Sequence, residues 1–150
     1  MSQLDKDTVR EWLSAAHVDH YECGHCDGTH ISALDSGEGP LECRVMWQPA
    51  SLLLLTQVEL RPSAIVPMAA LATGLCAESA ELKIHVESMD EEPPSLVISH
   101  AIPAFIPLSR KAFTEWVQWY LAETQRIIDD VRQTGLLGQA ESAPSGGALH

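Results

Sequence analysis

The stretch at residues 109–135 reads SRKAFTEWVQWYLAETQRIIDDVRQTG and carries the strongest helical signal in the chain. Its core-forming side chains recur at intervals of three and four residues, which places them along one stripe of an α-helix. The stripe consists of Phe113, Trp116, Val117, Tyr120, Leu121, Thr124, Ile127, Ile128 and Val131. Ser109 can cap the first turn, and Gly135 can end the helix. A long helix with one apolar stripe predicts a second layer for that stripe to cover.

Upstream of this helix, several short segments alternate between apolar and polar residues with period two, which indicates β-strands. The segments are residues 20–23, 29–34, 42–48, 52–60, 82–87 and 95–102. Short turns rich in breaking residues join the strands within each run, so consecutive strands should pair antiparallel. A helix capped by Asp5 precedes the strands, and a short helix at residues 68–73, ended by Gly74, divides them.

The resulting order, α-β-β-β-β-α-β-β-α, predicts an α+β two-layer sandwich in which an antiparallel sheet carries the helices on one face. We expect a single domain at residues 1–138 and a flexible C-terminal tail at residues 139–150, where Ser, Gly and Pro accumulate. A chain of 150 residues with 45% hydrophobic residues can bury enough surface for one core.

The charge balance limits the classes of partner. Lys and Arg number 9 against 21 Asp and Glu, which gives a formal net charge of −12. A nucleic acid or an anionic membrane surface would repel such a chain, so neither is expected as a partner. The N-terminal sequence lacks the apolar segment of a secretory signal, and no apolar run reaches the roughly 20 residues of a membrane span. We therefore expect a cytoplasmic protein with reduced thiols.

The order of elements and the hydrophobic pattern resemble the YbjN family. The segments that carry this resemblance are residues 21–34, 51–62 (SLLLLTQVELRP), 82–101 and 112–135. The YbjN family is similar in fold to the type III secretion chaperones. The resemblance implies a non-enzymatic protein with a regulatory or stress-related role and offers no catalytic residues to transfer. No cofactor is expected, with zinc as the alternative. The likeness to the chaperones implies a dimer that binds partner polypeptides.

The sequence CGHC at residues 23–26 is the one motif with chemical interest. A CxxC turn can supply two ligands to a zinc ion. Two histidines, His25 and His30, are near in sequence and two more, His17 and His20, lie just upstream; His30 is the candidate chosen beside Cys23 and Cys26. Cys43 is a poor ligand, because strand pairing would place it about 15 Å away. A thiol oxidoreductase needs its first cysteine at a helix N-terminus, whereas this pair precedes a strand. A turn with two unliganded thiols, a small zinc-stabilised domain and a redox pair are the three interpretations.

The hairpin at residues 42–60 predicts self-association. With a three-residue turn at residues 49–51, Val45, Trp47, Leu53 and Leu55 share one face, and Met46, Leu52, Leu54, Val58 and Leu60 share the other. Helices cover one face only, so the other would be an exposed apolar patch. We expect a homodimer with either Trp47 and Leu55 or Met46 and Leu54 at the contact. A bulge at Pro49 would shift the register and merge the two clusters.

Trp119 is a further candidate partner contact. It lies about 130° from the centre of the stripe on the last helix, by the helical step of about 100° per residue. Tryptophan is enriched among the residues that dominate protein interfaces. Coverage of Trp119 by the tail or by a neighbouring loop is the alternative.

Overall fold

The structure is a computed structural model that describes residues 4–37, 39–90 and 92–138. Its elements are α1 (Lys6–Ala15), β1 (His20–Tyr21), β2 (Thr29–Ile31), β3 (Leu41–Gln48), β4 (Ser51–Glu59), α2 (Ile65–Glu78), β5 (Lys83–Glu87), β6 (Ser95–Pro103) and α3 (Arg110–Arg132), with a 3-10 turn at Pro62–Ala64. The predicted order of elements is confirmed. The predicted tail at residues 139–150 lies outside the described residues. Within the described ranges, none of the helices combines the length and the apolar character needed to cross a membrane.

The six strands form one antiparallel sheet in the order β1-β2-β3-β4-β6-β5. α2 carries the chain across the sheet, so that β6 pairs along the whole of β4 and β5 becomes an edge strand. The buried residues of α1, α2 and α3 join one face of the sheet in a single hydrophobic core. The predicted α+β sandwich with helices on one face is confirmed.

The predicted face of α3 is confirmed. Ser109 caps the helix, since the Ala112 backbone N–H donates to Ser109 Oγ at 3.0 Å. The stripe is buried except for Leu121, which is half-buried. Within the core, the Tyr120 hydroxyl donates to the Ile98 carbonyl at 2.7 Å and lies 2.7 Å from Thr56 Oγ1. These polar contacts fix α3 over β4 and β6, because a buried hydroxyl is costly without partners.

The β3–β4 hairpin differs from the prediction. Its turn consists of Pro49 and Ala50 alone, so Gln48 pairs with Ser51 and every later pair shifts by one residue. The Ala104 backbone N–H donates to the Ala50 carbonyl at 2.8 Å, which ties this turn to the chain after β6. The two predicted apolar clusters therefore exchange members: Val45 and Trp47 join the buried set on the helix-covered face, and Met46 joins Leu53 and Leu55 on the opposite face. The buried set includes Val45, Leu52, Leu54 and Val58.

The two residues of each predicted dimer-contact pair lie on opposite faces of the sheet, so both pairs are wrong. Trp47 pairs with Leu52 on the helix-covered face, and its indole N–H donates to the Leu4 carbonyl at 3.1 Å. Leu55 points the opposite way, because successive side chains on a strand alternate between faces. The same alternation separates Met46 from Leu54. We call the face opposite the helices the helix-free face, and its central apolar residues are Met46, Leu53, Leu55 and Val97.

α2 is longer than its sequence suggested. It continues through Gly74 to Glu78, because Leu75 packs into the core one residue after the glycine. Gly74 itself faces open space, so no contact depends on its missing side chain. The helix buries only Met68, Ala72 and Leu75, and Val66 is 78% exposed.

Candidate functional site

The turn that carries Cys23 and Cys26 lies against the helix-free face of β3. A Cβ atom on Gly28 would be 2.9 Å from the Val45 carbonyl oxygen and 3.2 Å from Met46 Cγ. Only glycine permits so close an approach of two backbones. This approach holds the turn beside β2, from which His30 projects on the same face.

The structure brings together the three residues proposed as metal ligands. Cys23 Sγ and Cys26 Sγ are 3.5 Å apart, and Cys26 Sγ lies 3.4 Å from His30 Nε2. All three ligand atoms lie within 4.8 Å of one another. Both thiols are free, since a disulfide would need a separation of about 2.05 Å.

His30 is fixed in place and is only 4% exposed. The Tyr21 ring stacks on it with a centroid separation of 4.7 Å and an interplanar angle of 19°. Its Nδ1 atom is buried and has no hydrogen-bond partner among the described residues. Glu42 Oε1 lies 3.7 Å from Nδ1, just beyond hydrogen-bond length. The imidazole therefore turns Nε2 toward the thiols and Nδ1 toward a carboxylate.

Cys23, in the turn, and Cys43, in the core, differ in the direction in which the pKa of the thiol is shifted. The His25 backbone N–H donates to Cys23 Sγ at 3.3 Å. This bond is the main reason why the pKa of the Cys23 thiol is lowered. The hydrogen bond with the Cys26 thiol is the second reason. Burial instead raises the pKa of the Cys43 thiol to about 11. Cys43 pairs with Thr56 on the helix-covered face, so it points away from Cys23 and Cys26.

His100 has a structural role. The Trp116 indole N–H donates to His100 Nδ1 at 2.8 Å, and the ring of Trp119 meets it edge-on at a centroid separation of 5.2 Å. Burial lowers the pKa of His100, which favours the neutral imidazole that can accept this bond. Trp119 is half-buried against the core, and its role as a partner contact stays a prediction.

An uncharged cleft of about 510 Å³ opens where α1, the β3–β4 turn and the segment after β6 meet. Its lining includes Trp12, Trp47, Leu52, Ile102, Phe105 and Leu108. No charged side chain lines the cleft within the described part of the chain, although the net charge of the chain is −12. At the rim, Phe105 is 84% exposed and Ile106 is 45% exposed.

Sequence reasoning missed this cleft. Residues 103–108 read PAFIPL and have neither helical nor strand periodicity, so they carried no prediction. The sequence signal that could have indicated the cleft is the pair Pro103 and Pro107, which flanks the large apolar residues Phe105 and Ile106 in a loop. A loop of this kind cannot bury those side chains within a regular element.

Comparison with known proteins shows similarity in sequence and in fold to one group of proteins. No family model matches the chain. YbjN, an uncharacterised protein of Escherichia coli K12, is 24% identical over 83% of this chain and 77% of its own length. A crystal structure of YbjN from E. coli superposes with a TM-score of 0.82 at 23% identity, covering 91% of this chain and 98% of that one. The chain is similar in sequence to YbjN and shares its fold.

Two further proteins extend the comparison. YbjN of Shigella flexneri shows the same 24% identity over the same 83% of the chain. An uncharacterised protein from Methanothermobacter thermautotrophicus shares the fold at a TM-score of 0.51 and 9% identity, over 87% of this chain and 99% of that one. The crystallised E. coli YbjN is described as a proposed transcription regulator. None of these proteins is named as an enzyme.

Proposed function

We propose that this chain is a non-enzymatic regulatory domain that binds an apolar segment of a partner polypeptide in the cleft beside Phe105. The observation that carries the proposal is an uncharged cleft in a chain of net charge −12. The crystallised relative is described as a proposed transcription regulator, and strong negative charge favours regulation through a protein over direct contact with DNA. We place the protein in the cytoplasm, where four free cysteines suit the reducing conditions.

The cleft has the size and lining of a binding site. Its volume of about 510 Å³ falls within the range of about 300–1,000 Å³ typical of ligand pockets. Trp12, Trp47 and Phe105 offer aromatic surface of the kind that dominates binding energy. Thr8 and Gln48 add neutral polar groups that can pair with the backbone of a bound segment. Apolar anchors can enter this cleft without burying a charge, and this mode of binding is chaperone-like.

The charge of the chain indicates the chemistry of the partner. The net charge of −12 over the whole chain, together with an uncharged cleft, favours an apolar segment with basic residues on either side of it. A suitable probe is a short labelled peptide with leucine and phenylalanine anchors between lysines. The matched control peptide keeps the lysines and replaces the anchors with serine.

Phe105→Ser is expected to weaken binding of the apolar peptide at least tenfold, because it removes an aromatic side chain from the rim of the cleft without changing the charge. Fluorescence anisotropy measures the affinity. Val66→Ser is the matched control, since Val66 is 78% exposed on α2 and does not line the cleft. Equal losses in both variants, or equal binding of the serine control peptide, would contradict a binding role for the cleft.

We further propose that the protein acts as a homodimer through the helix-free face. Met46, Leu53 and Leu55 lie together on this face and are not part of the hydrophobic core that the described residues form. A sheet face left to water normally alternates toward polar residues. A second copy related by a two-fold axis is the simplest cover for such a surface.

Light scattering tests the dimer. The intact protein is expected to have twice its chain mass of 16.4 kDa at micromolar concentration. Leu55→Asp should give a folded monomer, because each interface would receive two unpaired carboxylates. Met89→Asp should remain dimeric, since Met89 is 63% exposed in the loop after β5. A monomer mass for the intact protein at every concentration would rule the dimer out.

A further inference from the structure

We propose that Cys23, Cys26 and His30 form a zinc site with three protein ligands and a fourth coordination position occupied by water. The inference is independent of the cleft, because the cluster lies on the opposite face of the sheet. Its support comes from the separation of the ligand atoms, from the elements that hold them and from an unpaired nitrogen on His30.

The separations fit tetrahedral zinc. Zn–S bonds of about 2.3 Å and Zn–N bonds of about 2.0–2.1 Å, at the tetrahedral angle, put two sulfur atoms about 3.8 Å apart and a sulfur and a nitrogen about 3.6 Å apart. The observed separations are 3.5 Å for Cys23 Sγ to Cys26 Sγ and 3.4 Å for Cys26 Sγ to His30 Nε2. Small side-chain rotations suffice to receive the ion.

The ligands are held by elements that do not depend on the metal. His30 projects from β2, which has β1 on one side and β3 on the other, and Tyr21 stacks on its ring. The CxxC turn is held close to β3 at Gly28, two residues after Cys26, where the backbone of the turn approaches the Val45 carbonyl. Ligands held in this way lose little conformational freedom when the ion binds.

The unpaired Nδ1 atom of His30 gives independent support. A buried N–H without an acceptor is unfavourable, and Nδ1 has no partner within the described residues. A metal on Nε2 places the ring proton on Nδ1, which then faces Glu42 Oε1 at 3.7 Å. Histidine ligands of zinc commonly donate their second N–H to a carboxylate in this manner. A small movement of the exposed Glu42 side chain completes the bond.

The donor set and its exposure indicate which ion binds and how. Two thiolates and one imidazole favour zinc over magnesium or calcium, which prefer oxygen ligands. The group of candidate ligands found in the described chain has three members, so no fourth protein ligand joins them. Cys23 and Cys26 are only half-buried, which leaves the fourth position open to water.

Cobalt substitution tests the site on the full chain. The protein is reduced with a phosphine, freed of metal with a chelator and titrated with Co²⁺. We expect a sulfur-to-cobalt charge-transfer band and the intense visible bands of tetrahedral cobalt, saturating at one ion per chain and disappearing when Zn²⁺ is added. Octahedral cobalt without a charge-transfer band would overturn the proposal.

Substitutions locate the site. Cys26→Ser is expected to abolish the charge-transfer band and the zinc-dependent rise in melting temperature, whereas Cys76→Ser, which alters a half-buried thiol outside the cluster, should keep both. Glu42→Gln should weaken zinc binding about tenfold with the fold intact, because Glu42 is exposed. If Cys26→Ser fails to fold, the zinc affinity of Glu42→Gln decides the test. Unchanged zinc affinity in Glu42→Gln and Cys26→Ser would overturn the proposal.

Discussion

Trp116→Ala is expected to lower the free energy of unfolding by about 3–5 kcal/mol, which can prevent the chain from folding. Trp116 is 8% exposed and lies on the buried stripe of α3. Its removal leaves a cavity against β6 and takes away the N–H that His100 Nδ1 accepts at 2.8 Å. Urea denaturation followed by circular dichroism measures the change.

Glu123→Ala is the control on the same helix. The Glu123 side chain is 34% exposed and pairs with Arg126 at 3.2 Å on the solvent side of α3. A surface ion pair of this kind contributes little, so the free energy of unfolding should change by less than about 0.5 kcal/mol. Small and equal effects of Trp116→Ala and Glu123→Ala would contradict the buried face of α3.

Leu54→Asp is expected to unfold the chain, whereas Leu55→Asp should leave it folded. Leu54 is fully buried beneath the helices, and an unpaired carboxylate there loses its hydration without gaining a partner. Leu55 is its neighbour in β4 and points to the helix-free face. Circular dichroism and thermal melting separate the two results. A folded Leu54→Asp, or an unfolded Leu55→Asp, would place β4 in the other register.

The order of elements could be predicted because it depends on local periodicity. The stripe of α3 satisfies only a helical repeat, and Tyr120 falls at its centre. The register of the β3–β4 hairpin could not be predicted from the same kind of pattern. Four consecutive leucines at residues 52–55 give an apolar residue to both faces, so either register buries leucine. The bond from Ala104 to Ala50, which joins distant parts of the chain, holds the observed turn.

Of the candidate sites, the metal cluster could be predicted in part from the sequence, whereas the cleft could not. Cys23, Cys26 and His30 lie within eight residues of one another, so local spacing was enough to group them. Glu42 could not be grouped with them from the sequence, because it approaches His30 only when β2 pairs with β3. The cleft depends on contacts among α1, the β3–β4 turn and an aperiodic loop, and no single segment of sequence carries that pattern.

Binding of a polypeptide in the cleft is tested most directly by NMR of the indole N–H groups. Trp12 and Trp47 line the cleft, whereas Trp116 and Trp119 lie on α3 beside His100. On saturation with the lysine-flanked apolar peptide, the indole signals of Trp12 and Trp47 are expected to shift, and those of Trp116 and Trp119 should stay in place. Shifts confined to Trp116 and Trp119, or no shift in any indole signal, would contradict the cleft as the binding site.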